Sequence, residues 1–152
     1  MNIVSLVDQL VRHAESKISA PDIQGKKCEL TFKQLHEKVT DLKQRLLSAG
    51  ARNNQVVGLC LGNCIEFIVW DLALTELGMV SRVYPEAYDH SDTVQHGDQV
   101  SLWIHASDNF CPELKSQLDV RDSNPAIQLL GDAKVSPDDD VHSMVYSSGT
   151  SG

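Results

Sequence analysis

Hydrophobic residues recur at spacings of three and four in two segments, which is the pattern of an amphipathic helix. The first segment runs from Ser5 to Lys17 and is closed by Pro21. The second begins at a capping box of Thr31 and Gln34 and ends at Gly50, in the left-handed position that follows many helices. Its apolar face consists of Leu35, Val39, Leu42 and Leu46. The pattern therefore predicts two helices, each with one side exposed to solvent.

Two apolar runs follow that lack the spacing of three and four typical of an amphipathic helix. "QVVGLCLGN" (residues 55–63) is too short for a helix and suits a strand covered on both faces, as in a parallel sheet. "CIEFIVWDLALTEL" is apolar almost all round, which predicts a helix held between layers, with Asn63 as its N-cap and Gly78 after its end. "MVSRVYP" predicts a second strand. Strand, helix and strand in this order form a βαβ unit.

The rest of the chain shows shorter signals. A hairpin is predicted over 21–32, a polar loop over 86–98, a short helix over 111–118, a turn-rich connection over 132–140, and strands over 99–107, 126–131 and 141–146. The predicted fold class is α/β, with a layered, mostly parallel sheet flanked by helices.

Composition and charge narrow the function. With 152 residues, 41% hydrophobic and 22% charged, the chain suits one domain or part of a larger one. A formal net charge of -8 without a basic cluster argues against nucleic acid or an anionic membrane as partner. Neither a membrane span nor a secretory signal is recognised, so a cytoplasmic protein with reduced cysteines is expected.

No metal site is predicted. Cys60 and Cys64 are four residues apart, which fits neither a redox pair nor a zinc half-site, and Cys60 is expected to be a small buried hydrophobe. His90 and His96 flank a polar stretch that is better explained as a loop than as a metal site.

The final residues carry the most specific chemistry. In "VHSMVYSSGTSG", a strand feeds a loop rich in hydroxyls and glycine: Ser147, Ser148, Gly149, Thr150, Ser151 and Gly152. Glycines let successive N–H groups turn towards an anion, and hydroxyls add donors without fixed charge. The spacing is not that of a Walker A loop. On composition alone a flexible linker or terminal tag is an equal alternative, but a strand directly before the loop favours a phosphate cradle.

"YSSGTSG" resembles the signature loop of the adenylate-forming superfamily, which comprises acyl-CoA synthetases, peptide-synthetase adenylation domains and luciferases. The upstream order over 30–80 is similar as well, and "PDDDVHSMVY" resembles the family's lead-in to the loop. The resemblance covers nearly the whole chain, from about Leu6 to Gly152. Residues 1–152 are therefore predicted to be the N-terminal part of an AMP-binding domain cut within its phosphate loop. Arg82, which interrupts the second strand, and the missing helix over 86–98 depart from the family pattern.

The resemblance implies an AMP-forming acid–thiol ligase. Such an enzyme uses ATP and Mg²⁺ to convert a carboxylic acid to an acyl-adenylate, then passes the acyl group to coenzyme A or to a carrier-protein pantetheine. Residues 147–152 would bind the β- and γ-phosphates, with Thr150 as the foremost hydroxyl. No catalytic residue is expected within these 152 residues; those groups would lie in the remainder of the same polypeptide, so the fragment alone is expected to be inactive.

Two alternatives remain open at this point: a degenerate adenylation-like scaffold without catalysis, and an unrelated flavodoxin-like domain with a terminal linker. Fatty, aryl and amino acids are all open as substrates.

Overall fold

The computed structural model describes residues 15–86, 88–90, 100–114, 116–122 and 126–129, together with the backbone of 143–145. Seven strands and two helices lie in these ranges: β1 (Lys17–Pro21), β2 (Lys27–Thr31), α1 (Phe32–Ser48), β3 (Val56–Cys60), α2 (Ile65–Glu76), β4 (Val80–Val83), β5 (Leu102–His105), β6 (Gln117–Asp119) and β7 (Ser143–Val145). The predicted helix over Ser5–Lys17 falls mostly outside the described residues, and its last residue, Lys17, instead begins β1.

The main sheet has five strands in the order β6-β5-β3-β4-β7. All four neighbouring pairs are parallel. Strands β1 and β2 form a separate antiparallel pair. The predicted α/β class with a mostly parallel sheet is confirmed.

Helix α1 has the boundaries that its sequence signals predict. The backbone N–H of Gln34 donates to the Thr31 hydroxyl at 3.1 Å, and the Thr31 N–H donates to the Gln34 side chain at 2.8 Å. Gly50 follows the helix with φ +89°, a conformation that costs glycine little. The predicted apolar face is buried: Leu35, Val39, Leu42 and Leu46.

The βαβ unit is present as β3, α2 and β4, and all five residues of β3 are buried. The prediction of Asn63 as N-cap is wrong: the cap is Cys64, which makes no side-chain cap hydrogen bond. Asn63 is exposed, whereas the Cys64 thiol is buried and points to the Leu61 carbonyl at 3.7 Å. The Cys64 thiol is thus buried in the core, and α2 begins without a side-chain capping hydrogen bond. Gly78 ends the unit as predicted, with φ +69°.

The two faces of the main sheet bury different clusters. Helices α1 and α2 lie with the first cluster, whose strand residues include Val57, Leu59, Leu102, Ile104 and Leu118. The second face buries Val56, Cys60, Val80, Tyr84 and Trp103. Successive residues of a strand point to opposite faces, so β3 and β5 each supply both clusters. Cys60 is a buried hydrophobe as predicted, and burial raises the pKa of its thiol to about 12.

Two local predictions are wrong. The short helix over 111–118 is absent, because Gln117 starts β6 and its side-chain amide donates to the Leu114 carbonyl at 2.7 Å. Residues 126–129 form no strand. The predicted hairpin around a glycine-containing turn is confirmed, because β1 and β2 pair antiparallel on either side of Gly25. Its first strand precedes the predicted one, because the turn begins at Asp22, whose carboxylate accepts from two following N–H groups. Within the part of the chain described, no helix is long and apolar enough to cross a membrane.

Candidate functional site

The strand that precedes the hydroxyl-rich motif lies at one end of the main sheet. Strand β7 pairs with β4 in parallel, with Ser81 opposite Ser143 and Val83 opposite Val145. The chain therefore leaves β7 at the same edge of the sheet as it leaves β4. The predicted site residues 147–152 themselves fall outside the described residues. The fold does show that the strand before them ends at the carboxyl edge of the sheet.

A topological switch point lies at this edge. After β3 the chain passes through α2 to β4 on one side, and after β5 it passes to β6 on the other side. Adjacent parallel strands whose connections leave in opposite directions open a crevice outside their carboxyl ends, where open α/β sheets bind ligands. Cys60 and His105, the last residues of β3 and β5, are register partners at the base of this crevice.

Gly62 and Glu86 make a close contact at the same edge. Gly62 follows β3 with φ +68°, and a Cβ at this position would collide with carboxylate oxygen Oε1 of Glu86. Glu86 is exposed and follows β4, the strand next to β7. Glycine suits this position because of the positive φ, whereas the carboxylate is the far end of an exposed side chain that can move aside. An exposed carboxylate therefore lies beside the carboxyl ends of β3 and β4.

His105 contributes an uncharged side chain at the end of β5. Its ring is buried and stacks on Phe110 with 4.2 Å between centroids and 3° between planes. The Ser107 N–H donates to His105 Nδ1 at 3.2 Å, so this nitrogen is an acceptor. Burial lowers the pKa of His105, and the neighbouring Asp119 charge opposes that shift only in part. At neutral pH the ring is therefore neutral, with its proton on Nε2.

Arg121 ties together the loops that follow β5 and β6. Its guanidinium contacts both oxygens of Asp119, at 2.9 Å and 2.6 Å, and donates to Asp108 at 2.7 Å. The hydrogen bonds from Arg121 hold the pKa of Asp119 below its ordinary value. Arg121 thus links the loops at this border of the crevice, and its positive charge is paired with two carboxylates.

Beneath the edge, five rings pack on the second face of the sheet: Tyr84, Tyr88, His90, Trp103 and Phe110. His90 is central, with ring centroids 4.9 Å from Trp103 and 5.0 Å from Phe110. His90 lies outside any helix or strand, in agreement with the predicted loop, but it is buried and not in polar surroundings; His96 lies outside the described residues. The sequence signal was the crowding of four of the eight Phe, Trp and Tyr residues into 84–110.

Arg82, which departs from the family pattern, also lies on this second face and is buried. It does not interrupt β4, because its backbone pairs with Gly58 of β3 and Met144 of β7. Among the described residues, no three His, Cys, Asp or Glu side chains are grouped so that they could hold a metal ion.

Several solved structures share this fold. A long-chain-fatty-acid-CoA ligase from Archaeoglobus fulgidus superposes with a TM-score of 0.69 at 19% identity, over 99% of this chain and 36% of its own. An o-succinylbenzoate coenzyme A synthetase from Bacillus subtilis, in complex with AMP, gives 0.64 at 18% identity, over 96% and 39%. The N-terminal subdomain of NpsA from Klebsiella oxytoca gives 0.58 at 15% identity, over 76% and 30%.

The chain thus spans between about three tenths and two fifths of the length of these proteins. A comparison with curated protein sequences gives no significant match. The sequence model of the family described as AMP-binding enzyme matches residues 9–152, which is nearly the whole chain. This chain belongs to the AMP-binding enzyme family.

Proposed function

We propose that this chain is the N-terminal part of an AMP-forming acid–thiol ligase. The observation that carries the proposal is the register of β7 on β4, because it directs the chain that enters "YSSGTSG" to the carboxyl edge of the sheet. The family membership and the switch point at that edge support the same site.

In the proposed site, residues 147–152 surround the outer phosphates of ATP. Gly149 and Gly152 leave the backbone open to the phosphates, and Ser147, Ser148, Thr150 and Ser151 supply hydroxyl donors. Hydroxyl donors suit phosphate oxygens, because they stabilise the negative charge of the phosphates without adding a positively charged side chain. Thr150 is the proposed principal hydroxyl contact, and the loop orients pyrophosphate for departure from the α-phosphate.

Mg²⁺ is expected to accompany ATP and to neutralise charge on its phosphates. The six loop residues include no carboxylate. The exposed carboxylate of Glu86, which lies beside Gly62 at the same edge, has the oxygen donors that this ion prefers. Asp138, Asp139 and Asp140, by contrast, are proposed as turn residues before β7.

The proposed reaction joins a carboxylic acid to AMP with release of pyrophosphate, and then moves the acyl group to the thiol of coenzyme A or of a carrier protein. The activity is proposed for the larger polypeptide, in the cytoplasm, and not for these 152 residues alone. The favoured class is an acyl-CoA synthetase. Fatty, aryl and amino acids remain candidate substrates.

ATP–pyrophosphate exchange with a panel of carboxylic acids tests the proposal in the larger polypeptide. Thr150→Val removes the hydroxyl at nearly constant shape, and we expect it to lower exchange by about a hundredfold, the typical loss for one donor to developing charge. Thr150→Ser keeps the hydroxyl and is expected to retain most of the activity. Equal exchange by the Val and Ser variants contradicts the assigned role.

The second candidate function is a scaffold module that keeps the fold without catalysis. The sequence over 86–98, which departs from the family pattern, is the observation on its side; Arg82 is not, because its backbone pairs on both sides within β4. ATP binding measured by calorimetry separates the two candidates: binding without exchange for any acid in the panel favours the scaffold.

A further inference from the structure

The loop that follows β5, residues 106–114, is attached to the sheet by a small number of contacts. Most of its residues are exposed, and Leu114 is the one that is buried. The side-chain amide of Gln117, at the start of β6, donates to the carbonyls of Cys111 and Leu114. A segment with little buried apolar area opens at a lower free energy than the sheet that carries it. This loop is therefore able to open while the strands stay paired.

His105, the last residue of β5, holds the beginning of the loop. The Ser107 N–H donates to Nδ1 of its buried ring at 3.2 Å, and Phe110 stacks on the ring with 4.2 Å between centroids. The Gln117 side chain also bonds to the ring, and since its nitrogen already donates to the loop, its oxygen accepts from Nε2–H. A second proton on the ring has to occupy Nδ1, which removes the acceptor of the Ser107 N–H and brings two donors together. Protonation thus breaks a contact between the sheet and the loop.

The charged groups described around His105 are of both signs. Asp119, its register partner on β6, attracts a charged ring, whereas Arg121 repels it. Asp108 in the loop is paired with Arg121 at 2.7 Å, and Cys60, the register partner on β3, is an uncharged thiol. Burial outweighs the attraction of Asp119, so the pKa of His105 is below its ordinary value while the loop is closed. An open loop returns the ring to water and to its ordinary pKa, so protons favour the open loop.

We propose that residues 106–114 form an acid-released flap: a proton on His105 detaches Ser107 and shifts the loop towards an open form. The flap follows β5 and so borders the crevice outside the carboxyl ends of β3 and β5. The shift begins as the pH falls through the ordinary histidine value of about 6.5. The inference uses no residue of 147–152 and does not depend on the proposed ligase activity.

Hydrogen exchange of the full chain, followed by mass spectrometry of its peptides, tests this proposal. Labelling at about pH 7.5 and about pH 5.5, for times scaled to the intrinsic exchange rates, reports the opening equilibrium of each segment. We expect the protection of residues 106–114 to be lower by about threefold or more at the acid pH. Helix α1 (Phe32–Ser48) is expected to be protected at least about tenfold more strongly than the loop at both pH values, because the flap opens without unfolding of the chain.

The variant His105→Asn assigns the effect to one residue. Its amide oxygen can accept from the Ser107 N–H in place of Nδ1 and does not titrate, so we expect equal protection of the loop at the two pH values. Two other titratable sites at the loop stay unchanged in this variant. These are His90, whose ring centroid is 5.0 Å from that of Phe110, and the hydrogen-bonded pair of Cys111 and Glu113.

His36→Asn, on α1, is the matched control and is expected to keep the difference between the two pH values. Equal protection of residues 106–114 at both pH values in the parent chain overturns the proposal, whether or not the variants fold. A difference that persists in His105→Asn overturns it as well. The same holds for equal protection of the loop and of α1 at the acid pH, since the loop would then open only when the whole chain unfolds.

Discussion

The indole ring of Trp103 lies directly on the α-carbon of Gly58. The two residues are partners across β3 and β5, and a Cβ at Gly58 would lie 2.7 Å from Cε3 of the indole. The absence of a side chain at one position in the central strand therefore determines where the largest ring of the second face packs. This pair also explains why a glycine is tolerated inside a fully buried strand.

Gly58→Ala is expected to destabilise the chain by about 1–3 kcal/mol, because the added methyl group forces the buried indole out of its position. Urea denaturation with the midpoint and slope compared between variants measures the change. In a Trp103→Leu background the ring is gone, so the same substitution is expected to cost clearly less. Additive effects of the two substitutions would contradict a direct clash.

Ser81→Ala is expected to lower the free energy of unfolding by about 1–2 kcal/mol. The buried Ser81 hydroxyl donates to Oδ1 of Asp71 at 2.8 Å and so joins β4 to α2. Ser48→Ala, at the exposed end of α1, is the matched control and should change stability by less than about 0.5 kcal/mol. If both variants unfold at the same urea concentration, the hydrogen bond contributes nothing measurable.

His105 is expected to make the fold less stable in mild acid. Burial lowers its pKa in the folded state, so below the unfolded-state pKa of about 6.5 the unfolded chain binds a proton that the folded chain does not. Stability from this residue is thus complete above about pH 7 and declines as the pH falls through 6.5 towards the folded pKa. NMR titration of the His105 ring checks the direction. Asp119→Asn removes the opposing charge and should lower the pKa further; a midpoint at or above 6.5 in the parent chain contradicts the prediction.

Glu113→Gln is expected to speed alkylation of Cys111 by iodoacetamide several-fold at pH 8. The Cys111 thiol donates to Oε2 of Glu113 at 3.0 Å, and this hydrogen bond raises the pKa of the thiol, so its loss increases the reactive thiolate. Peptide mass spectrometry follows each cysteine separately. Cys28 should react at an unchanged rate, and Cys60 should stay unmodified because burial raises the pKa of its thiol to about 12. An unchanged rate at Cys111 would show that the hydrogen bond does not control its reactivity.

The sequence predicted those elements whose signals are local. Thr31 and Gln34 cap α1 by contacts within four residues, and Gly50 and Gly78 end helices by backbone conformation. The βαβ unit was predictable because an apolar run too short for a helix indicates a strand buried on both faces.

The elements that were mispredicted depend on distant partners. Gln117 belongs to a strand only because β5 offers a free edge, and no local pattern reports that edge. Cys64 replaces Asn63 as N-cap because the core accepts a thiol there. The rings around His90 come from three stretches within 84–110. Their crowding in the sequence does not indicate which rings contact each other. For residues 147–152, the fold confirms the preceding strand, and their phosphate contacts stay a prediction.

The position of β7 also constrains the order of assembly. It pairs with β4, yet β5 and β6 intervene in the sequence and lie at the opposite end of the sheet. During synthesis on the ribosome, the outer edge of β4 is therefore left without its neighbour until Ser143–Val145 have been added. Pairings over such long separations form slowly, and an uncovered strand edge invites intermolecular association. Among the five strands described in this sheet, β7 is accordingly added last, and nascent chains that stall before β7 are the ones most exposed to aggregation.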